Sequence, residues 1–251
     1  PFVSEFVDVI HEDLLIKIDK HFHHASFYAQ YHINSTKDGY QIPFLFYASE
    51  YLDSFSVKID GKKISLTNIP YDFKVPEDTK FKDFSYFFEK SSANDFSSIL
   101  IEDSAYSEFH ISLADMIYFE TDVPQGEHVI EVSYIARNWT NKLDWVNEYS
   151  FRYALSPAKY WKSFGTLSVN IDASDFDQEL NVNLGHPKNG NLQSIAQWDF
   201  NNMPIEIVEI SFNPKVSPIA QTLIEITPIK IAYITGAIFT IIHFFTIMWY
   251  R

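Results

Sequence analysis

The chain contains no cysteine, and this absence excludes several kinds of chemistry at once. Disulfides, thiolate metal sites, cysteine nucleophiles and iron–sulfur ligation all require that residue. Because eukaryotic secreted domains often carry disulfides, the absence also argues weakly against that class. Glycine is scarce as well, with 7 residues against 23 phenylalanines and 15 tyrosines. Such a chain has large side chains to bury rather than flexible linkers.

Positive charge is also in short supply. Lys and Arg together number 19 against 33 Asp and Glu, which makes the net charge −14. Nucleic acids and anionic lipid surfaces are bound by basic patches, so we expect no nucleic-acid partner and no body that lies flat on a membrane. The simplest interpretation of the acidic surface is solubility.

The sequence motifs of common enzyme classes are missing too. The sequence contains no G-x-S-x-G, no H-E-x-x-H and no Walker loop. A calcium loop counted from Asp175 fails, because Leu180 and His186 stand where glycine and glutamate are required. We therefore nominate no catalytic residue, no cofactor and no metal ligand. A glycan-acting envelope enzyme is the alternative, because the carboxylate pair of a glycosidase is set by spatial distance and not by sequence spacing.

Histidines near the first turn do not complete a ligand set. In an extended strand His24 and His32 share a face but lie roughly 27 Å apart. His21 and His23 share a face and have no visible third partner. We interpret these residues as solvated histidines at a strand end, and the run Asp172–Glu179 as an acidic turn.

Alternation of apolar and polar residues dominates the first 226 residues. In the clearest example Ala25, Phe27, Ala29, Tyr31 and Ile33 share one face of a strand. Ten to twelve such strands with turn signals at intervals of about 8–12 residues are typical of antiparallel sandwiches. The pattern predicts an all-β fold, an antiparallel β-sandwich body in two units, residues 1–136 and 137–226. A single larger sandwich is the alternative.

Residues 70–104 break this rhythm. Phe81, Phe84, Phe87 and Phe88 recur there at helical spacings. We therefore predict a helical insertion within about 70–104.

The end of the chain is apolar. The run Ile231–Tyr250 has no charged residue, and 20 residues at helical rise reach roughly 30 Å, the hydrocarbon thickness of a bilayer. We predict a stalk end and one C-terminal transmembrane helix in 227–251. The expected anchors at the two membrane interfaces are basic or aromatic: Lys230, Tyr233, Trp249, Tyr250 and Arg251.

One face of this predicted helix is suited to packing. Ala232, Gly236, Thr240 and His243 fall at helical intervals on a single side. Small residues four apart permit close helix approach, and an ionisable residue within the hydrocarbon faces protein or water. The expected partners are other membrane-protein subunits and the lipid bilayer.

Aromatic residues crowd the second half of the body. Trp139, Trp145 and Trp161 lie in stretches that we interpret as connectors. Exposed tryptophans often anchor protein partners, so these three are the candidate partner-binding aromatics.

Together these features predict a membrane-anchored structural or binding protein, an accessory subunit of a larger membrane complex and not an enzyme. The chain begins at Pro1 without an initiator methionine, which fits removal of a secretory signal. We expect the body outside the cytoplasm, on the periplasmic side of the inner membrane in a bacterium. The alternative is a tail-anchored interaction protein that faces the cytosol.

Overall fold

The structure is a computed structural model that describes residues 4–48, 50–52, 54–67, 88–90, 97–101, 109–112, 116–142, 146–155, 161–225 and 228–250. The strands up to the middle of the chain are β1 (Ser4–Ile18), β2 (His24–Ser35), β3 (Gly39–Tyr47), β4 (Ser56–Ile59), β5 (Lys62–Ile64), β6 (Phe88–Lys90), β7 (Ser97–Ile101), β8 (Phe109–Ser112) and β9 (Met116–Val123). The later elements are β10 (Gly126–Arg137), β11 (Trp139–Asn141), β12 (Glu148–Ala154), β13 (Trp161–Asp172), β14 (Asn181–Val182), β15 (Asn189–Gly190), β16 (Ile195–Phe200), β17 (Ile207–Phe212), α1 (Pro218–Glu225) and α2 (Pro228–Trp249).

The largest sheet has eight strands in the order β15-β16-β13-β1-β2-β10-β4-β5. Along β2 every second residue is buried, as the sequence alternation predicts. At the turn between β4 and β5, Asp60 and Gly61 both take positive φ angles, of 49° and 76°, which is the geometry that an Asp-Gly hairpin favours. The strands β4 and β5 therefore form a tight antiparallel hairpin.

A second sheet of four strands, in the order β11-β12-β17-β14, faces the first across an aromatic core. Phe27 of β2 stacks on Tyr153 of β12 with ring centroids 6.1 Å apart. Aliphatic side chains from both sheets, such as Ile16 and Ile210, are completely buried beside them. This arrangement confirms the predicted all-β sandwich body.

Two smaller sheets complete the described strands. β3 pairs antiparallel with β9, and Phe44 of β3 lies against Trp161 of β13 at 5.9 Å between ring centroids. The strands β6, β7 and β8 form a three-stranded antiparallel sheet. The predicted helical insertion is therefore wrong for Phe88–Lys90 and Ser97–Ile101, which are strands, and the rest of 70–104 lies outside the described residues.

One strand pair departs from the antiparallel pattern. β1 and β13 run parallel, with Leu14 beside Val169 and Ile16 beside Ile171. Alternation along a strand reveals which face it buries, but not its neighbour or direction, so the prediction of antiparallel pairing throughout is wrong here.

Contacts divide the chain into two compact units, Pro1–Thr140 with Tyr149–Phe212, and Asn141–Glu148 with Asn213–Arg251. The boundary predicted after residue 136 falls within β10, inside the first of these units.

A β-bulge at Ile10 changes which residues of β1 face the core. Val9 pairs with Ile33 of β2, and His11 pairs with His32, so Ile10 is an extra residue without its own partner. Buried positions are odd before the bulge and even after it, and Glu12 is consequently turned inward.

Gly165 lies beside this bulge at a point where the backbones of β1 and β13 approach closely. A Cβ atom at position 165 would lie 2.1 Å from the carbonyl oxygen of Ile10. Because backbone cannot yield as a side chain can, Gly165→Ala should separate the parallel pair and destabilise the body by about 1–3 kcal/mol. Urea unfolding followed by circular dichroism measures this cost. Gly236→Ala, where the added carbon meets nothing within 4 Å, is the control and should leave unfolding of the body unchanged.

The second unit contains two helices. Ser217 caps α1, since its hydroxyl accepts a hydrogen bond from the backbone N–H of Ala220 at 3.2 Å, and Pro218 takes the first helical position. α2 begins at Pro228, and the stretch Ile229–Trp249 is long and apolar enough to cross a membrane.

Candidate functional site

A buried carboxyl group is the most unusual feature of the body. Glu12 is only 1% exposed, because the bulge at Ile10 places it in phase with Leu14, Ile16 and Ile18 on the inner face of β1. Acidic side chains are almost never fully buried unless they are paired. The surroundings of Glu12 therefore decide what this group can do.

Tyrosine hydroxyl groups contact the carboxyl group, and no cation among the described residues does so. The hydroxyl of Tyr153 on β12 donates to Glu12 Oε1 at 2.8 Å. The hydroxyl of Tyr31 on β2 lies 2.6 Å from that of Tyr153, and either oxygen can be the donor in this second bond. The chain of hydrogen bonds joins the eight-stranded sheet to the four-stranded sheet.

This environment favours the neutral form of the acid. Burial raises the pKa of Glu12 to about 7, against the smaller lowering by the hydrogen bonds from Tyr153 and Tyr31. Burial, together with the nearby Glu12 carboxyl, also raises the pKa values of Tyr31 and Tyr153 well above that of free tyrosine. The cluster therefore has one group that exchanges a proton near neutral pH.

A small cavity adjoins Glu12. Its volume is about 20 Å³, and the side chains around it are mainly aromatic: Tyr31, Phe46, Tyr47, Phe55, Tyr134, Tyr153 and Trp161. Two of these side chains, Tyr134 and Trp161, carry a buried polar atom without a hydrogen-bond partner among the described residues, namely the Tyr134 hydroxyl and the Trp161 indole nitrogen. A water molecule needs about 10–15 Å³, so the cavity has room for one water-sized species.

Sequence reasoning missed this site, although a signal for it exists. In the sequence of β1, Glu12 alternates in phase with Leu14, Ile16 and Ile18. A charged residue on the apolar face of a predicted strand marks a buried polar group. The partners Tyr31 and Tyr153 are more than a hundred residues apart in sequence, and no local pattern connects them.

The three predicted tryptophans have different environments. Trp161 is 3% exposed and packs in the core, so its prediction as a partner-binding aromatic is wrong: the residue starts β13 and is no connector. Trp139 is half-buried in β11, and the guanidinium of Arg152 lies 4.1 Å from its ring centroid. Arg152 also donates to Glu209 at 2.9 and 3.0 Å. Trp145 lies outside the described residues.

Other polar clusters have structural partners. The Asp19 carboxylate accepts hydrogen bonds from the backbone N–H groups of His21 and His23, at 3.1 and 2.8 Å, and so shapes the turn between β1 and β2. Asp172 and Asp175 each lie 3.6 Å from the ammonium of Lys17. Within the described part of the chain, no group of three acidic or histidine side chains is arranged to hold a metal ion.

The predicted packing face of α2 is exposed. Adding a carbon at Gly236 would meet no atom within 4 Å, and the Thr240 hydroxyl donates to the carbonyl of Gly236 at 2.8 Å. Ala232 and His243 are exposed on the same side. The predicted anchors Lys230, Tyr233, Trp249 and Tyr250 are exposed as well, whereas Arg251 lies outside the described residues.

Comparison with known proteins finds similarity in structure only. No protein-family model and no curated protein matches the sequence. A candidate nutrient-binding protein from Legionella pneumophila matches with a TM-score of 0.49 at 10% identity, over 84% of this chain and 68% of that protein. A zinc metallopeptidase from Deinococcus radiodurans matches at 0.39 and 9% identity, over 82% and 42% of the two chains. The leukotriene A4 hydrolase of Saccharomyces cerevisiae matches at 0.42 and 10%, over 85% and 31%.

This chain thus spans about two thirds of the Legionella protein and less than half of the peptidase and the hydrolase. With such low scores and identities, we draw no functional conclusion from these similarities.

Proposed function

We propose that this chain is a membrane-anchored binding or structural protein that serves as an accessory subunit of a larger membrane complex. The observation that carries the proposal is the exposure of α2. None of the stretch Ile229–Trp249 is buried, and large apolar side chains such as Ile234, Phe239 and Phe245 are more than half exposed. Water is an unfavourable solvent for such a surface, and the hydrocarbon of a bilayer is a favourable one.

The packing face supports a protein partner within the membrane. The hydroxyl of Thr240 donates to its own helix, whereas the His243 imidazole has no hydrogen-bond partner among the described residues. A polar ring within hydrocarbon costs free energy unless a neighbouring helix or water reaches it. Because Gly236 is open to close approach on the same face, a second helix is the partner that this face fits best.

The cavity at Glu12 does not favour the glycan-acting alternative. Its volume of about 20 Å³ holds one water molecule and is too small for a sugar ring. A carboxyl group in such a place cannot reach a glycosidic bond without a large rearrangement of the core. Glu12 carries the one buried carboxyl group among the described residues, and it does not support the glycan-acting alternative.

The membrane partner is tested by changing the packing face without changing the span. Gly236→Leu keeps the helix apolar but fills the close-approach point, so insertion should persist while cross-linking to a neighbouring subunit in native membranes falls at least several-fold. Ala237→Leu adds the same side chain on a different side of α2 and is the matched control. Equal cross-linking in wild type and both variants would show that the helix is an anchor alone.

We further propose that the body lies outside the cytoplasm. The support for this location is that antiparallel β-sandwich bodies are common among envelope proteins. This is a similarity of architecture and identifies no functional site. In a bacterial host, protease added to spheroplasts should digest the body from the outside. Full protection until the cells are lysed would support the tail-anchored orientation instead.

A further inference from the structure

The cavity beside Glu12 contains polar atoms that the protein itself leaves unpaired. Among the described residues, the hydroxyl of Tyr134 and the indole N–H of Trp161 have no hydrogen-bond partner, and both residues are at least 95% buried, with exposed fractions of 4% and 3%. An unpaired buried polar group costs free energy comparable to a lost hydrogen bond, and two in one cavity are unusual in a folded protein. Both residues line the same space as Glu12.

We propose that Glu12, Tyr134 and Trp161 form a binding site for one internal water molecule. The water accepts a hydrogen bond from the Trp161 indole N–H and links it to the Tyr134 hydroxyl and the Glu12 carboxyl group. The site thereby connects strands β1, β10 and β13 of the eight-stranded sheet. Through the hydroxyl of Tyr153, which donates to Glu12 at 2.8 Å, it also connects them to β12 of the facing sheet.

The donors and acceptors in the cavity select water over a small cation. An ammonium ion has the size of a water molecule and would suit the carboxylate and the aromatic rings. However, indole N–H is a donor only, and ammonium has no lone pair to accept its hydrogen bond. Water both donates and accepts, and buried waters typically make about three hydrogen bonds to polar groups that otherwise lack partners. Here the three protein groups supply that number.

Size sets the upper limit on the occupant. The cavity volume of about 20 Å³ exceeds the space that one water needs and excludes organic ligands. The surrounding rings also hold the Tyr134 side chain in place, with Phe27 at 4.8 Å and Phe55 at 5.4 Å between ring centroids. The hydroxyl therefore cannot turn away to find a partner elsewhere without disturbing the core.

The substitution Tyr134→Phe tests the proposal through the sign of its effect. It removes one oxygen atom and leaves the stacked ring unchanged. If the hydroxyl binds the internal water, its loss should increase the unfolding equilibrium constant of the full chain in detergent by about 2- to 10-fold. If the hydroxyl is truly unpaired, its removal relieves a buried polar group, and an unfolding constant that stays equal or falls would overturn the proposal. Tyr40→Phe is the matched control, because Tyr40 is 79% exposed.

Direct observation of the water completes the test and does not depend on any variant. In a crystal structure of the full wild-type chain that resolves internal waters, one water should lie within hydrogen-bond distance of Trp161 Nε1 and the Tyr134 hydroxyl. A cavity filled by rearranged side chains would overturn the proposal. A stronger stabilisation of the wild type by ammonium chloride than by sodium chloride would also overturn it, because the occupant would then be a cation.

Discussion

Replacing Phe22 by alanine should destabilise the body by about 3–5 kcal/mol, the usual cost of deleting a buried phenylalanine ring. Phe22 is 1% exposed, although it lies in the turn between β1 and β2 and adopts a positive φ of 56°. Such a φ is unusual for a bulky residue and costs of order 1–3 kcal/mol, so the packing of the ring must outweigh it.

The contacts of the Phe22 ring explain this balance. Its centroid lies 4.6 Å from that of Phe151, 5.3 Å from that of Phe176 and 5.5 Å from that of Phe212. Phe151 and Phe212 belong to the four-stranded sheet, so a turn of the eight-stranded sheet closes one end of the sandwich. The backbone carbonyl oxygen of Phe22 also accepts a hydrogen bond from the Asn138 side chain at 2.5 Å.

Urea unfolding of the full chain in detergent, followed by circular dichroism, measures the loss. Because single domains are stable by only about 5–15 kcal/mol, a cost of this size removes a large part of the total. Tyr40→Ala is the control, since Tyr40 is 79% exposed, and it should change the free energy of unfolding by less than about 0.5 kcal/mol. A similarly small effect of Phe22→Ala would contradict the view that this turn closes the core.

Glu12→Gln should abolish a pH dependence of stability that the wild type shows near neutrality. The pKa of Glu12 rises on folding from 4.5 to about 7, chiefly because the group is buried. Between these two values the folded chain binds more protons than the unfolded chain, so stability falls as pH rises through this window. The full loss above pH 7 is about 3 kcal/mol at 1.36 kcal/mol per pKa unit.

Among the described residues, the titratable side chains that share the cavity with Glu12 are those of Tyr31, Tyr47, Tyr134 and Tyr153. The carboxylate of Asp13 on the same strand raises the pKa of Glu12 slightly further. No cation among the described residues contacts it. Because no such cation pairs with the carboxylate, the buried Glu12 loses its charge by binding a proton.

The measurement compares the free energies of unfolding of wild type and Glu12→Gln from pH 4 to pH 8.5. The difference between the two curves should grow in favour of glutamine by about 3 kcal/mol across this range, whatever constant offset the amide introduces. Glu127→Gln removes an exposed carboxyl from β10, and its curve should run parallel to that of the wild type. Parallel curves for Glu12→Gln would mean that the folded protein keeps the buried acid charged throughout.

The sequence predicts the body well where local pattern decides structure. The alternation of Ala25, Phe27 and Ala29 places β2 correctly, because burial on one face follows the pleat of the strand. The Asp60-Gly61 turn follows from the freedom of those residues to take positive φ. The apolar end of the chain likewise predicts one long helix, because the length of the segment and its lack of charge are enough for that prediction.

Features that depend on distant partners were not predictable in this way. The parallel pairing of β1 with β13 joins residues about 150 positions apart, and no local signal encodes it. Trp161 was predicted to be a partner-binding aromatic because its stretch was interpreted as a connector, yet it starts a strand and is buried. Glu12 is the clearest case, because a single-residue bulge at Ile10 sets its phase and its partners lie on two other strands.

The native mass of the full chain tests the central claim most directly. The protein, of 29.3 kDa, would be extracted from its own membranes with mild detergent and its mass measured together with that of every co-purifying chain. Membership of a larger complex predicts a particle heavier than one chain with its detergent, containing a second membrane protein in fixed proportion. A single 29.3 kDa chain in its micelle, or a chain released from membranes without detergent, would contradict the account.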